Sequence, residues 1–443
     1  MARDSKMRLC MFWFPPGQWR MPDAISGVES NFKIFAHIAQ LSEQAKMDAI
    51  FFADSVTSQP VDLIAKRVSY GEQIPRAAGL EPMTTLAALA MVTSRIGLIA
   101  TATTTYNEPY HIARRFATID QISGGRGGWN LVTSQTESEA QNFGFDSHME
   151  HDRRYERASE FYDVVAGLWD SWEDGAMLEE KETARYFDMS KAHLLNHEGE
   201  FFKVRGPLNV LRSPQGRPVV VQAGASGPGK ALAARIADCV FSAQSKLDEG
   251  KAFHDEIKGL AAGHGRRPQD IKIMPGLAPI IGSTQAEAED LQAQFQSLIT
   301  DEQALRSLYR ISGGLDLIKF PLDGPMPELP ISNGAQARQK ILVDMARKEN
   351  LTLRQAARRF AQRQAHHHIC GTVSTVADVM QEWFEKEACD GFCMMPSYYP
   401  RGVTDITERL VPELRRRGLF RKEYEGTILR ENLGLPIPKN RYR

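Results

Sequence analysis

The chain has 443 residues, 42% of them hydrophobic and 25% charged, the balance of an ordinary globular protein. Its 54 Lys and Arg against 55 Asp and Glu leave a formal charge of −1, which argues against a basic nucleic-acid groove or a polybasic membrane surface. The five cysteines are odd in number and include no CxxC pair, so reduced thiols in a cytoplasmic protein are expected.

In chain order, the first apolar run is LCMFWF, too short for a signal peptide's hydrophobic region and far too short to span a bilayer. It belongs to a predicted strand, RLCMFWF from Arg8. A helix over Phe35 to Lys46 follows, then the strand AIFFAD ending at Asp54, a helix over Pro82 to Thr93, and IGLIATA from Ile96. The glycine-rich ISGGRGG leads into WNLVTS from Trp129, and a helix covers Glu150 to Trp169. Later strands are PVVVQAG from Pro218, DCVFSA from Asp238, IKIMPGL from Ile271 and DGFCMM from Asp390. Several are continuous apolar runs, as expected of strands covered on both faces. Eight strands with intervening helices are the count of an α/β TIM (β/α)8 barrel; a doubly wound open sheet is the alternative at this level. Residues 1–443 are expected to form one barrel domain with two insertions. Segment 172–209 is polar, aromatic and punctuated by glycine. Segment 298–364 holds PLDGPMPELP and a charged helical stretch, and is the expected lid.

Barrel chemistry sits at the C-terminal ends of strands. That filter selects Asp54, Thr101, Thr103, Asn130 and, after the fifth strand, Ser226. AGASGPGK around Ser226 offers small residues before a helical KALAARIAD, an arrangement suited to an anion; a plain strand-to-helix turn is the alternative. Its spacing fails the Walker pattern. GGRGGWN fails the dinucleotide fingerprint because its glycines precede a strand, and it reads as the tight entry into strand four. His151 and Tyr155, four apart, share one helix face and can jointly bind a phosphate or a ring edge, or simply pack. His366, His367 and His368 are adjacent, so on a strand they face opposite ways and no metal role is assigned to them. No nucleophile elbow or HExxH pattern occurs.

The stretches FFADS, TATTTYNEPYHIARRFATIDQISGGRGGWNLVTS, HDRRYERASEFYDVV, GEFFKVRGPLNVLRSPQGRPVVVQAGASGPG and GTVSTVADVMQEWFEKEACDGF, with the tail VPELRRRGLFRKEYEGTILRENLGLPIPKNRY, resemble one family. It is the bacterial-luciferase-like flavin monooxygenases, in the branch containing nitrilotriacetate, EDTA, dibenzothiophene-sulfone and long-chain-alkane monooxygenases. The resemblance covers most of the chain from about residue 35 to its end. It implies a TIM barrel that takes reduced FMN (FMNH2) from a separate NAD(P)H:flavin reductase and uses O2 to oxygenate a small organic substrate. It also implies flavin contacts at Asp54, Thr101, His151, Tyr155 and Ser226. Related pyrimidine oxygenases hold oxygen near the flavin N5 with a threonine and an asparagine, and Thr101 and Asn130 are similar in placement. A homo-oligomer, dimer or tetramer, is expected. The chain departs from the branch at FPPGQWRMPDA, where many members carry a histidine; Trp13, Trp19 and Arg20 are the candidates there for altered specificity, or else structural residues. His111 and His368 are possible acid–base groups, with structural hydrogen bonding as the alternative. Competing functions are a deazaflavin-dependent dehydrogenase and a non-catalytic flavin-binding protein.

Overall fold

Eight short parallel strands, almost entirely buried, close into a ring because neighbouring runs of apolar residues satisfy each other's backbone groups edge to edge. The computed structural model describes residues 5–13, 19–58, 78–309, 311–330, 333, 336–363 and 366–443. The strands are β1 (Arg8–Trp13), β2 (Ala49–Phe52), β3 (Gly97–Thr103), β4 (Gly127–Val132), β5 (Val219–Gln222), β6 (Cys239–Ser242), β7 (Lys272–Gly282) and β8 (Gly391–Met394). Each pairs in parallel with the next, and β8 returns to β1 through Cys10↔Cys393. All eight predicted strands are staves of this TIM barrel, and the open-sheet alternative fails because no edge is left.

The helices between them are α1 (Phe32–Gln44), α2 (Pro82–Ala90), α3 (Pro109–Ser123), α4 (His151–Trp169), α5 (Gly227–Ile236) and α6 (Leu247–Gly263). After β7 comes α7 (Gln285–Ser297), and before β8 comes α8 (Val373–Glu385). The glycine cluster works as expected. Gly124 caps α3 at φ 66°, Gly125 continues at φ 91°, and β4 begins at Gly127.

Alternation sends Cys10, Phe12, Phe51, Ile99, Val221, Cys239, Phe241, Met274 and Cys393 inside the barrel. Leu429, Leu433 and Leu435 of the C-terminal segment join that inner cluster. Leu429 Cδ1 lies 2.4 Å from where a Cβ on Gly97 would stand, so the tail fills the floor of the barrel at the strands' N-terminal ends. Beside it the buried Asp48 accepts from Arg421 Nη2 at 2.6 Å and from Leu9 N at 2.6 Å. Polar chemistry is left to the other end.

Segment 172–209 contributes two small antiparallel hairpins outside the barrel, Met177–Glu180 with Arg185–Phe187 and His197–Glu198 with Lys203–Val204. Within 298–364, Leu305, Leu308, Leu342, Leu353 and Phe360 build a separate apolar cluster. One strand was not anticipated. His367–Thr372 pairs with the outer half of β7, Leu277 to Gly282. Among the described residues, no helix is long and apolar enough to cross a membrane.

Candidate active site at the barrel mouth

Thr101 and Asn130 face each other in the register of β3 and β4. Both are buried, and both sit one inward step above the aromatic layer formed by Phe12, Phe51 and Phe241. Those three rings pack at centroid distances of 4.8, 4.7 and 5.8 Å. Thr101 Oγ1 donates to the Phe52 carbonyl at 2.9 Å and accepts from Asn130 Nδ2 at 2.8 Å. That fixes the amide's orientation and turns Asn130 Oδ1 toward no partner among the described residues. A buried amide oxygen left unpaired is costly and marks a place where a ligand N–H or O–H completes the network.

The second polar group lies one strand away. Asn130 pairs with Val221 on β5, and three residues on, Gly224 opens the loop to α5. Gln222 Oε1 accepts from Gly224 N at 2.7 Å and shapes this loop. Ser226 is the N-cap of α5, accepting from Gly229 N at 3.3 Å, and no acidic side chain occupies the first turn. A Cβ on Gly224 or Gly229 would come within 2.9 or 3.0 Å of the Tyr155 hydroxyl. Only glycine lets Tyr155 lie against this loop. The His151 ring lies tilted beside Tyr155 with ring centroids 5.0 Å apart, one turn earlier on α4, as the four-residue spacing predicted. Tyr155 and Ser226 therefore meet at the N-terminus of α5, an end that suits an anion, while His151 lies beside Tyr155 with its Nδ1 2.8 Å from Asp152 Oδ1.

Asp54 follows β2 and is solvent-exposed, two residues past the Phe52 carbonyl that holds Thr101. Its neighbour Ser55 donates to Glu139 Oε1 at 3.2 Å. Glu139 is buried and also accepts from Ser134 Oγ at 2.9 Å and Gln135 N at 2.8 Å. Thr103 Oγ1 lies 3.0 Å from the same Ser134 hydroxyl, so it supports the loop after β4.

Other expected residues lie elsewhere. Trp13 points out of the barrel against Phe35 and Tyr399, which makes it a packed aromatic. Arg20 donates to the Leu298 carbonyl at 3.0 Å, and Trp19 is 41% exposed. Phe14 to Gln18 fall outside the described residues. His111 is on the solvent face of α3, while His368 lies on the outer strand opposite Ala278.

The sequence did not single out Gln222, Glu139 or Arg154. Arg154 is almost wholly buried and donates to the Ser134 carbonyl at 2.8 Å, to His148 Nε2 and to the Asn333 carbonyl. His148 Nδ1 meets the Tyr106 hydroxyl. Burial, with Arg154 close by, lowers the basicity of His148, and burial pushes the Tyr106 hydroxyl up to about 12. Asn333 in turn donates to the His148 and Met149 carbonyls at 3.3 and 3.2 Å, tying the long insertion to the start of α4.

The family model described as luciferase-like monooxygenase matches residues 10–388. The chain belongs to that family. It is 48% identical to N-acetyl-S-(2-succino)cysteine monooxygenase of Bacillus subtilis (strain 168), over 100% of this chain and 99% of that one. It is 47% identical to nitrilotriacetate monooxygenase component A of Aminobacter aminovorans, covering 96% and 94%. A solved riboflavin lyase holding modified FMN and riboflavin superposes with a TM-score of 0.86 at 30% identity, over 97% of this chain and 96% of that one. Luciferase-like monooxygenases are flavin-dependent oxidoreductases, and this chain is an enzyme of that kind.

Proposed function

We propose that this chain is the oxygenase of a two-component cytoplasmic system, receiving FMNH2 from a separate NAD(P)H:flavin reductase and using O2 to oxygenate a small organic substrate. The observation that carries the reading is the buried, unpaired Asn130 Oδ1 beside Thr101, one strand from a glycine cradle built for an anion. These groups fit FMN at both of its ends.

Ser226, Tyr155 and His151 would hold the phosphate, and Thr101 and Asn130 the polar edge of the ring, with Asp54 at the rim. Reduced FMN supplies the two electrons with which O2 delivers one oxygen atom to substrate and the other to water. Thr101 fixes the Asn130 amide, so its oxygen is presented without reorganisation. Phe12, Phe51 and Phe241 keep water from entering beneath the site. The insertion, tied by Asn333 to the His148 carbonyl, would close over it.

The two relatives just named act on small polycarboxylates, one a thioether and one a tertiary amine. We extend that class to this chain: a polycarboxylate oxygenated next to sulfur or nitrogen. A deazaflavin-dependent hydride transfer has less support, since full-length relatives near half identity are named monooxygenases.

The test is turnover with FMNH2 and 18O2 on N-acetyl-S-(2-succino)cysteine and nitrilotriacetate. One labelled oxygen in the product or in the carbonyl fragment released is expected. Anaerobic turnover, or no label in any product, would defeat the oxygenase reading.

A further inference from the structure

The first of the two hairpins outside the barrel is the tip of a longer arm. Its backbone pairing starts with His193 N to the Ser171 carbonyl at 2.8 Å and Glu173 N to the Lys191 carbonyl at 2.9 Å. It continues through Asp188 N to the Ala176 carbonyl at 2.7 Å, up to Met177–Glu180 against Arg185–Phe187. The C-terminal residues hold the root of the arm. Asn440 Nδ2 donates to the Asp170 and Trp172 carbonyls at 2.9 and 3.0 Å, and Arg443 Nε to Glu173 Oε2 at 2.8 Å.

Towards the tip that support ends. Among the described residues the two strands there pair only with each other, and neither contains a buried residue. Phe187 stands opposite Met177 in register, and its ring meets Tyr186 and Trp172 at 4.9 and 5.4 Å. Met177, Tyr186, Phe187 and Met189 are all exposed, Tyr186 by 56% and Met189 by 67%. A lone two-stranded hairpin is marginal in water, and grouped apolar side chains beside open strand edges mark a surface made to be covered.

Position and charge select the partner. The arm leaves the C-terminal end of α4, whose 19 residues set its root roughly 28 Å from His151 at the mouth. A reductase supplying flavin would dock at the mouth, so the arm stands at the wrong end for it. Within the arm, Glu179 accepts from the Tyr186 hydroxyl at 3.3 Å and Glu180 from Arg185 Nη1 at 3.4 Å. Lys181 and Glu182, unlike in sign, are exposed at the turn with no partner among the described residues. A patch that meets its own copy across a two-fold axis must carry both halves of each polar pair, and this one does.

We propose that the arm 171–193 is a self-association surface whose occupant is the same arm of a second copy of this chain. Met177, Tyr186, Phe187 and Met189 are buried between the two arms, and Lys181 crosses to Glu182 of the second copy. Both barrel mouths stay free, and the inference is independent of the substrate oxygenated there.

Sedimentation velocity at micromolar protein tests this, with reduced-FMN affinity measured alongside. The wild type is expected to sediment as an assembly of at least two copies. Tyr186 and Met189 are exposed in the single chain, so Tyr186→Asp/Met189→Asp should fold, keep its FMN affinity and associate at least about tenfold more weakly. Lys181→Glu and Glu182→Lys should each weaken association by about threefold, and the exchange Lys181→Glu/Glu182→Lys should restore it, an outcome that pairing between copies produces. A monomeric wild type overturns the proposal. So does an FMN-binding double variant that associates as the wild type does, which would place the contact on another face, and so do single charge variants that the exchange fails to rescue.

Discussion

Asn130 Nδ2 donates to Thr101 Oγ1 across 2.8 Å, and the Thr101 hydroxyl donates in turn to the Phe52 carbonyl at 2.9 Å. This directed chain leaves the amide no freedom to flip, so Thr101 acts on the reaction through Asn130. Thr101→Val should lower product formed per FMNH2 consumed by about tenfold and raise hydrogen peroxide release correspondingly. Asn130→Ala should do the same more severely. Coupling ratios measured with an oxygen electrode and product assay check this; full coupling in both variants would remove the pair from the oxygen site.

Gly229 is expected to tolerate no side chain. Its Cβ would meet the Tyr155 hydroxyl and the Gly224 backbone, each near 3.0 Å, and backbone cannot give way cheaply. Gly229→Ala should weaken reduced-FMN binding by at least tenfold, more than Tyr155→Phe, which removes only a hydroxyl. Anaerobic flavin fluorescence titration gives both numbers, and equal affinities would place the phosphate elsewhere.

Ser226 combines two roles that separate experimentally. As the N-cap of α5 it contributes about 1 kcal/mol of stability, lost in Ser226→Ala. Ser226→Asp restores the cap but sets a carboxylate where the anion is proposed to bind. The aspartate variant should therefore recover thermal stability and bind FMN worse than alanine does. Differential scanning calorimetry with and without FMN distinguishes the two.

Acid should destabilise the protein through His366. Buried, the ring resists protonation down to about pH 3, whereas the unfolded chain takes up the proton near 6.5. A depressed folded-state pKa means that stability present at neutral pH is lost as pH falls below about 6.5. The loss is about 1.4 kcal/mol per pH unit for this single group, or about 2 kcal/mol between pH 6.5 and 5. His366→Phe should flatten that slope in urea denaturation. An identical slope in the variant would assign the acid sensitivity to other groups.

Much of the fold was legible because a parallel barrel buries its strands on both faces, so each staves the sequence with an apolar run such as AIFF or VVVQ. Helix ends were less so. Predicted from Phe35, α1 begins at Phe32, capped by Asn31, a local hydrogen bond that periodicity does not register. The outer strand at His367 escaped notice because it opens with polar residues and leans on only one neighbour. At the site, Thr101, Asn130 and Ser226 were readable from strand ends, and His151 with Tyr155 from helical spacing. Arg154 was not, since its partners Ser134, His148 and Asn333 come from separate loops, and Gln222 and Glu139 were not, since they act by bonding their own loops rather than by any spacing in the sequence. His366 looked like one of three equivalent histidines; only Gly276, some ninety residues earlier, gives it a place inside.

The leucines that fill the barrel's floor belong to a stretch made after all eight staves. Until Leu429 to Leu435 have left the ribosome, the cylinder is open at its base and Asp48 lacks Arg421. A nascent or truncated chain could form the rim's hydrogen bonds and the layer of Phe12, Phe51 and Phe241, but that layer would stand with nothing packed beneath it.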